Sequence, residues 1–403
     1  MGREITCQQS LKEPGQRSRL WYYKDSLEIL SDQTGTGVLE GVALDMNMTN
    51  ACQTELQTVA FSMMRKLRLL KLNNVQLSGG YTDFPKKLKW LTWHNFSLRA
   101  LPNGFPLSSL VAIDMQSSKL QRLVQGNMLL GSLKFLNLSH SHDLVKSPNF
   151  AEFNALEQLI LEDCVSLIEI DESIGMAEGL VLLDIKDCKL LKRLPKNIYK
   201  LKCLETLIIS GCSNIRMLDA EMKNMESLKD FHADGLDFGN SSYRNQKSES
   251  WLDFFQGLDY CLAPSLQYLI FSGNPIRFLP DCFKGLERLK ELHVREYSQL
   301  QALEDLPNIQ NFLVALDCSV LEKITFDAPG TVLKGFAIPN GCGNLLEMQS
   351  RFKIVPIGDI DSQFINNCGI YDVEVKKRMQ VKLHNTYTET ATRCPIQVIS
   401  LSF

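Results

Sequence analysis

Three cysteines, Cys164, Cys188 and Cys212, recur 24 residues apart in this 403-residue chain. Thiols at fixed spacing serve metal ligation, redox exchange or packing. Zinc sites draw cysteines in close pairs whose sulfurs complete a tetrahedron. The 12 cysteines here include no Cys-x-x-Cys pair and no Cys/His spacing of that type. A linear ladder of sulfurs does not make a tetrahedron, so the column is expected to be structural. His94, His140, His232 and His293 are the next candidates. Their spacing puts them on or just after strands, mostly two or more units apart, which predicts solvated positions or partner contacts rather than a metal or catalytic cluster. No Gly-x-x-x-x-Gly-Lys-Ser/Thr, His-Glu-x-x-His or Gly-x-Ser-x-Gly is present, and Gly35-Thr36-Gly37 reads as a turn. The expectation is no catalytic residue, no metal, no cofactor and no enzymatic activity.

The elements that position these residues follow from the cysteine column itself. Segments opening at Leu156, Leu180 and Leu204 each read L-x-x-L-x-L/I-x-x-C-x-x-L/I. Upstream, openings at Leu39, Leu67, Leu88, Leu110 and Leu133 put Leu44, Leu72, Trp93, Met115 and Leu138 at position six. Downstream, Leu228, Leu266 and Leu289 put Ala233, Phe271 and Val294 there, and a degenerate unit runs from Gln310 to Leu321. This is the leucine-rich-repeat frame. It predicts an α/β solenoid, a horseshoe with about twelve parallel concave strands and an irregular convex side.

The physics lies in the alternation. Positions four and six are apolar and their neighbours polar, the period-two pattern of a strand with one buried face. One such strand cannot bury that face alone, so coils stack and share a core. Position nine (Cys164, Cys188, Cys212, Asn274, Cys318) turns inward and offers a polar atom to backbone groups left unpaired where the strand ends. Leu-Pro pairs at 101–102, 194–195, 279–280 and 306–307 close the convex side of four units.

The side chains flanking the strand leucines form the candidate partner-binding face. In mid-array these are Asn137, Ser139, His140, Glu162, Asp163, Asp184, Lys186, Asp187 and Ser210, followed by His232, Asp234, His293, Arg295 and Glu296. Mixed charge with histidine suits a specific docking surface, although any solvated sheet face is also polar.

Composition bounds the partners. Hydrophobic residues make up 44% of the chain, as in folded globular proteins. A net charge of -3, from 43 basic and 46 acidic residues, gives no electrostatic footprint for nucleic acid or an anionic membrane. No apolar run is long enough to span a bilayer, and the polar N-terminus lacks the apolar core of a secretory signal. The cysteines are therefore read as reduced thiols of a cytoplasmic protein, with the nucleus as a second compartment. Glycosylation triplets at Asn47, Asn95, Asn137 and Asn240 are then chance matches.

Residues 39–325 form the repeats, with an insertion at about 237–262 whose polar middle reads as a surface loop. Residues 1–38 precede the frame. There, RLWYYKDSLEILSDQ reads as a short helix with Trp21, Tyr22, Leu27 and Leu30 available for burial, capping the first strand. Residues 326–403 lose the frame and are expected to be an irregular tail with some strand content.

With the residues placed, a family resemblance emerges. MGREITCQQSLKEPGQRSRLWYYKDSLEIL followed by TGTGVLEGVALDM resembles the junction between the nucleotide-binding and repeat regions of plant intracellular immune receptors. The subfamily carries a Toll/interleukin-1-receptor-type N-terminal domain. LRLLKLNNVQLSG, LKWLTWHNFSLRALPNGF, LVAIDMQSSKLQRL and LKFLNLSHSHDLVKSPNF are similar to its successive opening repeats. The likeness covers about residues 1–325, and residues 342–403 resemble more weakly the tail that follows the repeats in some members. It makes residues 1–38 the end of a nucleotide-binding region. It also implies recognition of pathogen effectors, or of host proteins they modify, and restraint of the receptor's nucleotide switch by contact with that region. The signalling domain, phosphate loop and Met-His-Asp motif are absent from the sequence, as is the Pro-Gly…Trp-Phe stretch of many post-repeat domains. Nucleotide binding and NAD cleavage therefore do not carry over, and a receptor fragment truncated at both ends is expected.

Three rivals remain open. A ubiquitin-ligase adaptor shares reduced, cysteine-rich repeats but calls for a helical F-box, for which residues 1–38 are too short. A cell-surface receptor calls for a signal peptide, a membrane helix and a Gly-x-Ile-Pro step after each strand. A non-functional receptor fragment is the last.

Overall fold

A computed structural model describes residues 4, 6, 8–48, 55–124, 130–215, 220–236, 262–274, 276–279, 281–327, 335–337 and 347–349. It divides into two compact units, Met1–Asn214 and Ile215–Phe403.

In the first unit the repeat frame becomes a parallel sheet. Strand β1 (Arg19–Leu20) precedes helix α1 (Tyr23–Ser31) and strand β2 (Gly41–Asp45). There follow β3 (Leu56–Gln57), β4 (Leu69–Asn73), β5 (Leu77–Ser78), β6 (Trp90–His94), β7 (Ala112–Asp114) and β8 (Phe135–Asn137). Then come β9 (Gln158–Ile160), β10 (Leu182–Asp184) and β11 (Thr206–Ile208). The sheet order is β1-β2-β4-β6-β7-β8-β9-β10-β11, while β3 and β5 pair separately. Register follows the frame: Leu70, Leu91, Ile113, Leu136, Leu159, Leu183 and Leu207 stand opposite one another in turn. Each is at most 1% exposed, so position four is a continuous apolar line shared by every coil.

Position eight is the second fixed column. Asn74, Asn95, Ser117, His140, Asp163 and Asp187 adopt φ of 54 to 58°, and Gly211 adopts 74°. This left-handed geometry costs an ordinary residue about 1–2 kcal/mol, and least for Gly, Asn and Asp. In return the chain leaves each strand with its amide pointing along the stack. The N–H of His140 reaches the Glu162 carbonyl at 2.8 Å, Asp163 the Lys186 carbonyl at 2.7 Å, and Asp187 the Ser210 carbonyl at 2.8 Å. Position nine behaves as the sequence predicts. The Cys164, Cys188 and Cys212 thiols donate to the carbonyls of Leu138, Leu161 and Ile185, the position-six residues one coil back, at 3.3, 3.2 and 3.0 Å.

Helix α1 packs its Ile29 and Leu30 inward. Leu30 is buried as expected, whereas Tyr22 is 45% exposed and Ile29 takes the second inward position. The helix begins only at Tyr23, and Tyr22 is its extended N-terminal flank, off the inward face.

The second unit repeats the plan. Strands β12 (Asp230–His232), β13 (Tyr268–Ile270), β14 (Glu291–Arg295), β15 (Ala302–Leu306), β16 (Phe312–Leu316), β17 (Lys323–Phe326), β18 (Gly335–Ala337) and β19 (Glu347–Gln349) run in chain order. One parallel sheet orders β12-β13-β14-β16-β18; a second, on the return segments, orders β15-β17-β19. The return side is thus more regular here than in the first unit, where it is built of bends and short 3-10 turns such as Glu172–Met176. Leu303, Leu306, Ile324 and Phe326 bury one face of that second sheet. Paired strands also lie beyond residue 325, where the sequence frame fades.

All twelve strands expected from the frame are present among the described residues. The loop expected between 237 and 262 falls, but for residue 262, outside them, as does most of the tail. No helix among the described residues is long and apolar enough to cross a membrane.

Candidate functional site

Positions three, five and seven of each coil project from the sheet face opposite the core, because side chains alternate along a strand. Register brings Asn137, Ile160, Asp184 and Ile208 into one row of the first unit, one residue per strand. Position seven supplies Ser139, Glu162, Lys186 and Ser210, in the next row along.

Within this row Lys186 Nζ lies 2.9 Å from Glu162 Oε1, both side chains partly exposed. The hydrogen bond to Glu162 raises the lysine pKa, outweighing the opposing effect of partial burial. Asp184 behaves differently. Burial pushes its carboxyl up to about 6, although the Lys186 amide donates to Oδ1 at 2.9 Å and works the other way. Asn137 and Ser139, expected to be available for contact, are 7% and 3% exposed. The Asn137 side-chain oxygen accepts from the Ser139 amide at 3.0 Å and from its hydroxyl at 2.5 Å, so the pair is spent on the strand end.

His140, Asp163 and Asp187 sit in the left-handed column, so backbone geometry as well as any partner accounts for their residue types. His140 is nevertheless not isolated. Its Nδ1 lies 3.0 Å from Asp163 Oδ2, and His142 Nε2 lies 2.9 Å from the same oxygen. His142 lies past the strand end, where the spacing of strand-face histidines does not point to it. The visible signal was the His-Ser-His triplet at 140–142, which leaves two imidazoles on one turn. His94, expected at a solvated position or a partner contact, lies 3.1 Å from Asp114 on the next strand.

The same face also carries aromatics, which a search for polar side chains does not find. Trp90, Ala112 and Phe135 stand opposite one another on β6, β7 and β8. Strands two apart are separated by about 9.6 Å, yet the two ring centroids are 6.4 Å apart and nearly parallel. Both rings therefore lean over Ala112, which is 1% exposed, while Trp90 keeps 48% of its surface. Half-buried Leu69, Ile160, Leu182 and Ile208 extend this apolar ground across the same face.

In the second unit His232 is held below the ordinary histidine pKa by burial, partly offset by Asp234 and Asp230. Its neighbour in the sheet is Ile270, and next comes His293. His293 Nε2 lies 3.3 Å from Glu291, and Arg295 approaches its Nδ1 at 3.1 Å. Arg295 donates to that nitrogen, leaving the imidazole proton on the Glu291 side. Glu296 occupies the left-handed position, φ 59°, and its amide bonds the Leu316 carbonyl at 2.8 Å. Asp234 accepts the Ser272 amide at 2.6 Å.

The cysteine column has no reactive character. Burial pushes the thiols of Cys164 and Cys212 up to about 12 and that of Cys188 higher still, so all three stay protonated at neutral pH.

Comparison with known proteins matches this arrangement. A family model for the leucine-rich repeats of RPS4B-like disease resistance proteins matches residues 129–339. Disease resistance protein RPP2A of Arabidopsis thaliana is 31% identical over 315 residues, which is 76% of this chain and 21% of that protein. TMV resistance protein N of Nicotiana glutinosa is 27% identical over 304 residues, 75% of this chain and 25% of that protein. The chain thus spans about a fifth to a quarter of the length of these relatives. Among solved structures, the leucine-rich-repeat protein LIC12759 of Leptospira interrogans aligns at 16% identity with a TM-score of 0.38, covering 89% of this chain and 100% of that one.

Proposed function

The chain belongs to the leucine-rich-repeat family of RPS4B-like disease resistance proteins, and from that premise we propose that it recognises pathogen effectors or the host proteins they modify. It acts by protein–protein contact, without catalysis, in the cytoplasm or nucleus of a plant cell. In a parent receptor the same repeats contact the nucleotide-binding region and restrain activation until recognition.

The observation that carries this reading is the open face of the first unit's sheet. Stacked Trp90 and Phe135 lie on one side of it, and the Glu162–Lys186 pair beside Asp184 on the other. Aromatic anchors beside mixed charges characterise protein interfaces, where a few large side chains dominate affinity.

The test is binding of this chain to effectors found in a two-hybrid library screen, followed by affinity measurement with purified partners. One variant removes charge at Glu162→Ala, Asp184→Asn, Lys186→Ala and Asp187→Asn. Asparagine is used at 184 and 187 because it preserves the Lys186 amide contact and the left-handed turn. A second variant carries Trp90→Ala and Phe135→Ala. Each should weaken binding at least about thirtyfold, as loss of a hot spot does, with the far-ultraviolet circular dichroism unchanged. Unchanged affinity in both variants would remove the open face from recognition.

A further inference from the structure

We propose that His140, His142 and Asp163 form a binding site for a divalent transition-metal ion of the zinc type, linking two successive coils of the first unit. The inference is independent of the proposed function.

The donor set comes first. Two imidazole nitrogens and one carboxylate oxygen, all within 4.8 Å of one another, make a combination suited to zinc and its neighbours. A tetrahedral zinc ion with bonds of about 2.0–2.2 Å holds its donors about 3.3–3.5 Å apart. Asp163 Oδ2 lies 3.0 Å from His140 Nδ1 and 2.9 Å from His142 Nε2. The two Asp163 edges are thus slightly shorter than an ion needs, and with all three donors within 4.8 Å of one another, side-chain rotation can fit them around it.

The backbone beneath is held in place. His140 and Asp163 occupy adjacent rungs of the left-handed column, with amides bonded to the Glu162 and Lys186 carbonyls at 2.8 and 2.7 Å. The His142 amide bonds the His140 carbonyl at 3.1 Å, fixing the second imidazole on the same turn.

Access is open, with side chains 45%, 59% and 31% exposed for His140, His142 and Asp163. Three protein ligands leave a fourth position for water or for a donor from a bound partner. The two ligating turns follow β8 and β9, so an ion bound there ties one coil to the next and stabilises the stack by mass action.

The experiment is equilibrium dialysis of the full chain against zinc chloride at pH 7.5, with metal content measured by mass spectrometry. It is run beside His142→Gln, His140→Asn and Asp163→Asn variants. Asparagine at 140 and 163 tolerates the left-handed backbone, and His142 is exposed, so each variant is expected to fold. All carry the same cysteines, so the difference between chains isolates this site from thiol binding. Wild type should retain one more zinc per chain than each variant, and zinc should raise the melting temperature of wild type alone. Equal zinc content in wild type and all variants, or none in wild type, overturns the proposal. In that case the triad is a hydrogen-bonded surface turn.

Discussion

Asp184 occupies a row whose other members in β9 and β11 are Ile160 and Ile208, and burial, helped by the nearby Glu162 and Asp187 carboxylates, pushes its carboxyl up to about 6. An unfolded aspartate titrates near 3.9. Between about pH 4 and pH 6 the folded chain therefore holds a proton that the unfolded chain has released, and stability falls as pH rises through that window. Above it the deficit is constant, at about 3 kcal/mol by the usual conversion. Asp184→Asn should thus raise stability by that amount at pH 7.5 and leave it nearly unchanged at pH 3, as measured by urea denaturation at both values. An equal gain at both would mean that the charge is not responsible. Tyr81 offers a second case. It packs against Phe84 and Phe105 with centroids 5.5 and 5.6 Å away, and its hydroxyl is buried without a partner among the described residues. Tyr81→Phe keeps the rings and removes the orphan oxygen, so it should stabilise by about 1 kcal/mol. A lower melting temperature in a thermal scan would show that the hydroxyl has a partner after all.

The left-handed column decides what a repeat tolerates between strand and turn. At Gly211, φ is 74° and an added Cβ would sit 2.1 Å from Asp187 Oδ1. Gly211→Ala should cost about 1–2 kcal/mol for the backbone alone, and Gly211→Asn less. The two variants compared by chemical denaturation test this, and an alanine chain as stable as wild type would refute it. The same column shows where sequence reasoning stopped. The spacing of Leu156, Leu180 and Leu204 exposes strand, register and core, because a buried face recurs wherever coils stack. Position nine was legible too, since Cys164, Cys188 and Cys212 repeat one residue type. Position eight runs through Asn74, Ser117, His140, Asp163 and Gly211, which share tolerance of positive φ rather than any side-chain chemistry. Asp163 and Asp187 thus resemble contact residues by type while also serving the turn. Asn137 and Ser139 mislead for another reason: strand alternation points them at the open face, and neighbouring coils bury them. The apolar ground around Trp90 and Phe135 was readable from positions three and five, but only by admitting large hydrophobic residues on a face presumed polar.

Across the first unit as a whole, stability is a sum of local terms. A coil of a solenoid rests mainly on the coils before and after it, so damage spreads by neighbour and weakens with distance. Leu183 lies opposite Leu159 and Leu207, fully buried between them. Leu183→Ala removes about 2–5 kcal/mol of packing at that point. Amide exchange should therefore accelerate most in β9, β10 and β11 and least in β2 and β4. Thiol labelling supplies a second readout. Cys203 is exposed and should react in the native chain, whereas Cys164, Cys188 and Cys212 are buried and hydrogen-bonded to the backbone of the preceding coil. In Leu183→Ala these three should become reactive at a denaturant concentration that still leaves β2 amides protected. If exchange instead rises equally from β2 to β11, the unit unfolds as one body. The neighbour-by-neighbour account of its stability would then fail, even though the parallel register that suggested it remains.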